Sequence, residues 1–202
     1  MKQNVPHLPA KAGKWIYSHI RYMLQTMKCR KGFALAADSY PNRILFIAGL
    51  PKSGTTWLES MLGSYPGYNP LVLPGAVRYE LAHGGSHEYQ LPSRIFERFN
   101  KRLAVMKMHI NGTQHNAETL KSSGIKYVVL FRDLRDVAVS YAYYVSRTPW
   151  HPDFPVYRQL STQERLVHFS NTLLDSYQAW IKSWQEKQDP NLSIMIKYED
   201  LL

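Results

Sequence analysis

Cysteine occurs once, at Cys29, in a chain of 202 residues. That excludes an internal disulfide and any Cys-rich metal cluster, and it fits a reducing, cytoplasmic compartment. Long apolar runs are missing as well. No stretch approaches the roughly 18–20 apolar residues of a membrane span, and "MKQNVPHLPAKAGKW" lacks the hydrophobic core of a secretory signal. No Pro/Gly/Ser-rich linker divides the middle, so one main domain is expected. Acidic residues are absent before Asp38, whereas Lys2, Lys11, Lys14, Arg21, Lys28, Arg30 and Lys31 precede it.

That asymmetry adds to a formal net charge of +10, which implies a polyanionic partner: nucleic acid, anionic lipid or a highly charged small cofactor. Residues 1–40 read as a basic amphipathic arm. Trp15, Ile16, His19, Ile20, Met23, Leu24 and Met27 recur in it at helical spacing. Either the stripe packs onto the domain, or residues 1–37 make a peripheral contact with an anionic membrane or nucleic acid.

From residue 41 onward the pattern changes. Four apolar runs read as buried strands: "ILFIAG" from Ile44, "LAVMKM" from Leu103, "KYVVLF" from Lys126 and "SIMIKY" from Ser193. Helical patterns lie between them: "TTWLESMLGS", "PSRIFERFNKR", "NAETLKSS" with Asn116 as N-cap and Gly124 as stop, and "RDVAVSYAYYVS". Ser161 with Glu164 reads as a capping box. It opens a long helix with Leu166, Leu173, Tyr177, Trp180 and Trp184 on one stripe. The fold class is therefore α/β, a parallel sheet flanked by helices in a P-loop-like, three-layer nucleotide-binding architecture. Ligands of such sheets sit at the carboxyl ends of the strands.

"GLPKSGTTW", residues 49–57, follows the first strand and opens a helix. A Gly-bearing loop at a helix N-terminus is an anion cradle, since its amides point at the ligand. Gly49 and Gly54 keep the glycine spacing of the nucleotide triphosphatase P-loop. The lysine is displaced: Thr55 follows the second glycine and Lys52 sits inside the loop. Ser53, Thr55 and Thr56 add hydroxyl donors, and Trp57 offers either a stacking face or a core residue. In "YVVLFRDLRDVAVSYAYY", Arg132 follows the third run and Ser140 comes eight positions later, a fork and a hydroxyl suited to a phosphate. Asp133 and Asp136 either pair with Arg135 or cap the helix. In "VMKMHIN", strand alternation sets Lys107 and His109 on one face, with Met106 and Met108 on the other.

"PKSGTTW" resembles the 5′-phosphosulfate loop of the sulfotransferases that use 3′-phosphoadenosine 5′-phosphosulfate (PAPS). The resemblance covers roughly residues 40–202 and extends to the Arg132/Ser140 pair, similar to that family's 3′-phosphate site. It implies that Lys52 meets the sulfate-bearing end, that Ser53, Gly54, Thr55 and Thr56 wrap the 5′-phosphate, and that Trp57 stacks on adenine. Tyr198, in "KYEDLL", resembles a family tyrosine near the adenine. By the same resemblance His109 is the general base for in-line transfer to a hydroxyl or amine of a small acceptor, assisted by Lys107 and Lys52. Adenosine 3′,5′-bisphosphate is then the product, and no metal and no nucleic acid are expected. The family's Gly-Asp-Trp-like run and dimer segment are not found by residue 202. The chain is therefore expected to be C-terminally truncated relative to the family or divergent, with its oligomeric state open.

Two alternatives remain at this stage: a P-loop nucleotide kinase, which needs a lysine where Thr55 stands, and a catalytically silent nucleotide-binding fragment. His83 and His87 form an H-x-x-x-H pair, but the glycines of "HGGSH" disfavour a helix there, so "YELAHGGSHEYQLP" reads as a loop near the acceptor. The aromatic stretch "SYAYYVSRTPWHPDFPVY" either lines that pocket or covers the sheet.

Overall fold

The computed structural model describes residues 8–83, 85 and 87–201, with side chains from residue 12 onward. Residues 1–7 of the basic arm with Lys2, the Lys11 side chain, Gly84 and Ser86 of the predicted loop, and Leu202 lie outside the described residues.

The four apolar runs become strands β1 (Ile44–Gly49), β3 (Ala104–Met108), β4 (Lys126–Phe131) and β5 (Ser193–Lys197). A further two-residue strand, β2 (Asn69–Pro70), escaped the sequence pattern because neither residue favours a strand. All pairings are parallel, in the order β2-β3-β1-β4-β5. Side-chain alternation then builds two cores. Phe46, Ala48, Met106, Met108, Tyr127 and Val129 face one layer of helices, while Ile47, Val105 and Leu130 face the other.

The first layer comprises α4 (Gln114–Ser122), α5 (Leu134–Val145), α7 (Thr162–Thr172) and α8 (Leu174–Gln185), which contribute Leu120, Val137, Tyr141, Phe169, Trp180 and Trp184. The second comprises α2 (Thr55–Leu62) and the end of α1 (Leu8–Ala36), through Leu58, Phe33 and Ala36. Two further helices among the described residues are α3 (Pro74–His83) and α6 (Phe154–Tyr157); α3 carries Tyr79–His83, the start of the stretch expected to be a loop, as helix up to the glycines that follow His83. The three-layer α/β expectation is met.

Local signals fared unevenly. Ser161 and Glu164 do form a capping box, but the helix they open breaks at Leu173 (φ −122°) into α7 and α8. Thr113, not Asn116, caps α4; its hydroxyl accepts from the Asn116 amide at 3.1 Å. Asn116 is instead fully buried, taking the Leu91 amide at 2.8 Å and donating to Tyr89 O and Asn111 O. Gly124 does end the helix, at φ 61°. "PSRIFERFNKR" supplies only a 3-10 turn, Ile95–Phe99.

The largest departure concerns α1. It packs against the β2 edge and α3, with Cys29 fully buried, the Leu103 amide donating to Cys29 O at 3.2 Å, and the Val72 amide donating to Gln25 Oε1 at 2.9 Å. Gly32 makes this docking possible, because a Cβ there would sit 1.8 Å from Gly67 O. The face that docks is not the apolar stripe: Ile16, Ile20, Met23, Leu24 and Met27 all point away and are 54–66% exposed.

Candidate active site

The site begins where β1 ends. After Gly49 the Leu50 amide still donates to Leu130 O of β4 (2.8 Å), and the chain then turns into α2. The turn uses positive φ at Lys52 (67°) and at Gly54 (77°). For a lysine this is a strained conformation of the sort concentrated at functional loops. Gly54 is required twice, since a Cβ would also meet the Tyr198 ring at 2.4 Å. A Cβ on Gly49 would fall 2.1 Å from the Thr55 methyl, so the loop closes tightly on the first turn of α2. In that turn the Trp57 and Leu58 amides both donate to Gly54 O (2.9 and 3.1 Å), while the Thr55 and Thr56 amides come before the first intrahelical bond and add positive potential at the helix start.

Lys107 and His109 come from the end of β3, on one face as alternation requires. The Lys107 ammonium donates to Thr56 Oγ1 (2.9 Å) and Glu59 Oε2 (3.0 Å), tying β3 to α2. His109 Nδ1 donates to Gly49 O at 2.5 Å, which fixes the tautomer and leaves Nε2 as the acceptor. Burial, opposed by that hydrogen bond and reinforced by Lys107, Lys52 and Lys14, lowers the His109 pKa to about 4. Lys52 lies over the Tyr144 ring at 3.8 Å, and burial draws its pKa below the usual lysine range.

From the end of β4, Arg132 reaches Asp136 through Nη2 (3.1 Å) and stacks over the Tyr198 ring at 4.6 Å. Asp136 therefore pairs with Arg132, while Asp133 both caps α5 (Arg135 amide, 2.9 Å) and pairs with Arg135 (2.8 Å). Tyr198, just past β5, faces Trp57 with ring centroids 6.0 Å apart. Trp57 is 40% exposed, which removes it from the core.

These elements enclose a cavity of about 760 Å³. Lys52, Gly54, Thr55, Thr56, Trp57, Lys107, His109, Arg132, Ser140 and Tyr198 all line it. Of the sequence-predicted residues only Ser53 does not; it is fully buried beneath the loop, and its hydroxyl has no hydrogen-bond partner. The cavity wall also holds Glu80 and Asp153, which the sequence did not single out, and Tyr177, expected on a helix stripe. Glu80 pairs with Lys14 of α1 at 3.7 Å. Asp153 accepts from the Tyr141 hydroxyl at 2.6 Å. Tyr177 sits 5.5 Å from the His87 ring, and burial beside His109 takes His87 down to about 4.

The aromatic stretch divides: Tyr141 and Tyr144 line the cavity, whereas Tyr157 joins the core. His83 and His87 also reach the cavity but separate; His83 bonds Tyr79 O (3.0 Å) and stacks on that ring. Among the described residues no group of three or more His, Cys, Asp or Glu is placed to hold a metal ion.

A tight glycine loop at the end of β1, an arginine and serine on β4–α5, and a Lys-x-His on β3 thus stand around one cavity at the carboxyl ends of the strands. The chain matches the sulfotransferase domain family over residues 42–202 and belongs to it. Among solved structures it is similar to mouse sulfotransferase SULT7A1 complexed with PAP, with TM-score 0.55 and 21% sequence identity, over 82% of this chain and 56% of that one. It thus spans little more than half the length of that structure, and the likeness carries the fold. Comparison with curated proteins gives no match.

Proposed function

We propose that the protein is a PAPS-dependent sulfotransferase acting on a hydroxyl or amine of a small acceptor, with His109 as general base. The observation that carries this is the convergence of Lys52, Lys107, His109, Arg132, Ser140, Trp57 and Tyr198 on one cavity at the strands' carboxyl ends. When bound, PAPS supplies an activated sulfonate.

The residues present fit such a ligand. Arg132 Nε is buried without a hydrogen bond, having only Glu199 Oε1 at 3.9 Å, so this guanidinium retains capacity for a phosphate. The first-turn amides of α2 with Thr55 and Thr56 suit the 5′-phosphate, and Ser53 lies beneath them with an unpartnered hydroxyl. Arg132 and Ser140 suit the 3′-phosphate. Trp57 and Tyr198 offer aromatic faces for adenine.

His109, held by Gly49 O, takes the acceptor's proton at Nε2. Lys52 and Lys107 stabilise negative charge as it develops on the departing side. A bound anion beside Lys52 opposes the burial that lowers its pKa. Tyr141, Tyr144 and Tyr177 shape the acceptor side and exclude water.

Calorimetry with adenosine 3′,5′-bisphosphate and with ATP, followed by radiolabelled sulfonate transfer to a panel of phenols, alcohols and amines, tests the reading. Selective binding of the bisphosphate with label transfer is expected. Preference for ATP turns the assignment toward a kinase, and binding without transfer to any acceptor leaves a nucleotide-binding protein.

A further inference from the structure

The outward face of α1 has no role in the site just described. Ile16, Ile20, Met23, Leu24 and Met27 follow i, i+4, i+7, i+8, i+11 spacing and fall within an arc of roughly 100° on a 3.6-residue wheel. Each is more than half exposed, as are Tyr17 and Leu35 at the edge of the arc. The stripe from Ile16 to Met27 is about 16 Å long at 1.5 Å per residue. Arg21 and Lys28 border it on one side, Arg30 on the other, and Lys31 continues its line. All of these are exposed, and among the described residues none of them forms an ion pair. Residues 8–36 contain no acidic side chain. The opposite face is committed to the domain through Ser18, Tyr22, Gln25, Cys29 and Phe33.

An apolar stripe of this length, bordered by cations and pointing away from a folded domain, matches an interface-lying helix. We propose that this face of α1 seats the protein on an anionic lipid surface, with the axis in the membrane plane, the apolar side chains entering the acyl boundary and Arg21, Lys28, Arg30 and Lys31 meeting lipid phosphates. Charge complementarity selects this occupant. A second copy would bring an identical cationic helix and no carboxylate to receive it. Nucleic acid would want the cations at the centre of the face, where the apolar residues stand. The inference does not rest on the sulfotransferase reading.

The test is vesicle flotation with the 202-residue chain. Phosphatidylcholine vesicles are compared with vesicles carrying about 30% phosphatidylglycerol, at low and high salt. The bound fraction is expected to be at least about tenfold higher on the anionic vesicles and to fall with salt. An Ile20→Asp/Met23→Asp variant should lose about tenfold of that binding, and Arg21→Glu/Lys28→Glu should lose the anionic preference. Both variants change exposed side chains, and circular dichroism checks that they fold. Affinity for adenosine 3′,5′-bisphosphate should be retained in both, which separates failure here from failure of the site reading. Equal binding to neutral vesicles, no binding, or indifference to the aspartates overturns the proposal. So does a dimer that the aspartates dissolve, which assigns the face to a second copy, or an oligonucleotide complex that they abolish.

Discussion

At His109 one contact fixes the tautomer while burial sets the pH at which the imidazole titrates. Its Nδ1–H is committed to Gly49 O at 2.5 Å, so the free lone pair is on Nε2. Burial and the cations Lys107 and Lys52 hold its pKa at about 4, so at neutral pH the imidazole is almost wholly unprotonated. The acid limb of kcat/KM, which reports the free enzyme, should therefore lie well below the ordinary 6.5, toward 4. A bound polyanion offsets those cations, so the limb of kcat should lie higher. His109→Ala should lower turnover by roughly 10²–10⁴-fold while leaving bisphosphate affinity intact; full turnover in that variant removes the residue from the mechanism. At this scale the sequence was informative wherever chemistry is local. Strand alternation paired Lys107 with His109, and the eight-residue step from Arg132 to Ser140 carried both to the same cavity. Glu59 was not legible, because its contact to Lys107 spans 48 positions and exists only once α2 lies on β3. Lys14, from the other end of the chain, entered the site's surroundings through Glu80 in the same way.

Elements are recognisable when their own residues determine them and obscure when a neighbour does. β1, β3 and β4 declared themselves as apolar runs since both faces of the sheet are covered there, whereas β5, also expected to be buried, is an edge strand with no buried residue and Ile194 56% exposed. β2 is too short to carry a pattern and forms only because β3 offers an edge. Periodicity told that α1 has an apolar stripe, but not what would cover it. The inward face was settled by Cys29, Gly32 and Gln25, residues with no strong pattern of their own. Two glycines with positive φ give a matched test of the loop at the end of β1. Gly124 (φ 61°) has open space around its absent side chain, whereas Gly54 (φ 77°) faces the Tyr198 ring at 2.4 Å. Gly124→Ala should cost about 1 kcal/mol for the left-handed backbone alone and leave bisphosphate binding unchanged. Gly54→Ala should cost more and weaken binding at least about tenfold, because the ring and the cradle must both shift. Denaturant melts and calorimetry on the pair decide; equal stability loss with equal binding would show that the Tyr198 contact is not a constraint.

Across the whole molecule, charge and buried imidazole act in the same direction. The chain carries a formal charge of +10 with its histidines neutral, so each added proton meets net repulsion. His87 and His109 are both held near 4 by burial, and His109 adds to the lowering at His87. Their folded pKa values lie below the unfolded value of about 6.5. Above that value neither state is protonated and their contribution to pH dependence is flat. Between 6.5 and 4 the unfolded chain binds protons that the native state refuses, so stability must fall as the solution is acidified. The slope approaches about 1.4 kcal/mol per pH unit for each group as an upper bound, reduced by their partial contact with the cavity. Thermal melts between pH 7 and 4.5 should show a falling midpoint through this window, and His87→Gln should make the fall shallower. On the proposed function, adenosine 3′,5′-bisphosphate binds the native state alone, and mass action should stabilise the protein at neutral pH by roughly 2.7 kcal/mol at a hundredfold excess over Kd. A midpoint that stays level from pH 7 to 4.5 would mean that the two imidazoles titrate as freely in the folded protein as in the unfolded chain, and that the enclosure of the site by α1, α3 and α8 is looser than these contacts imply.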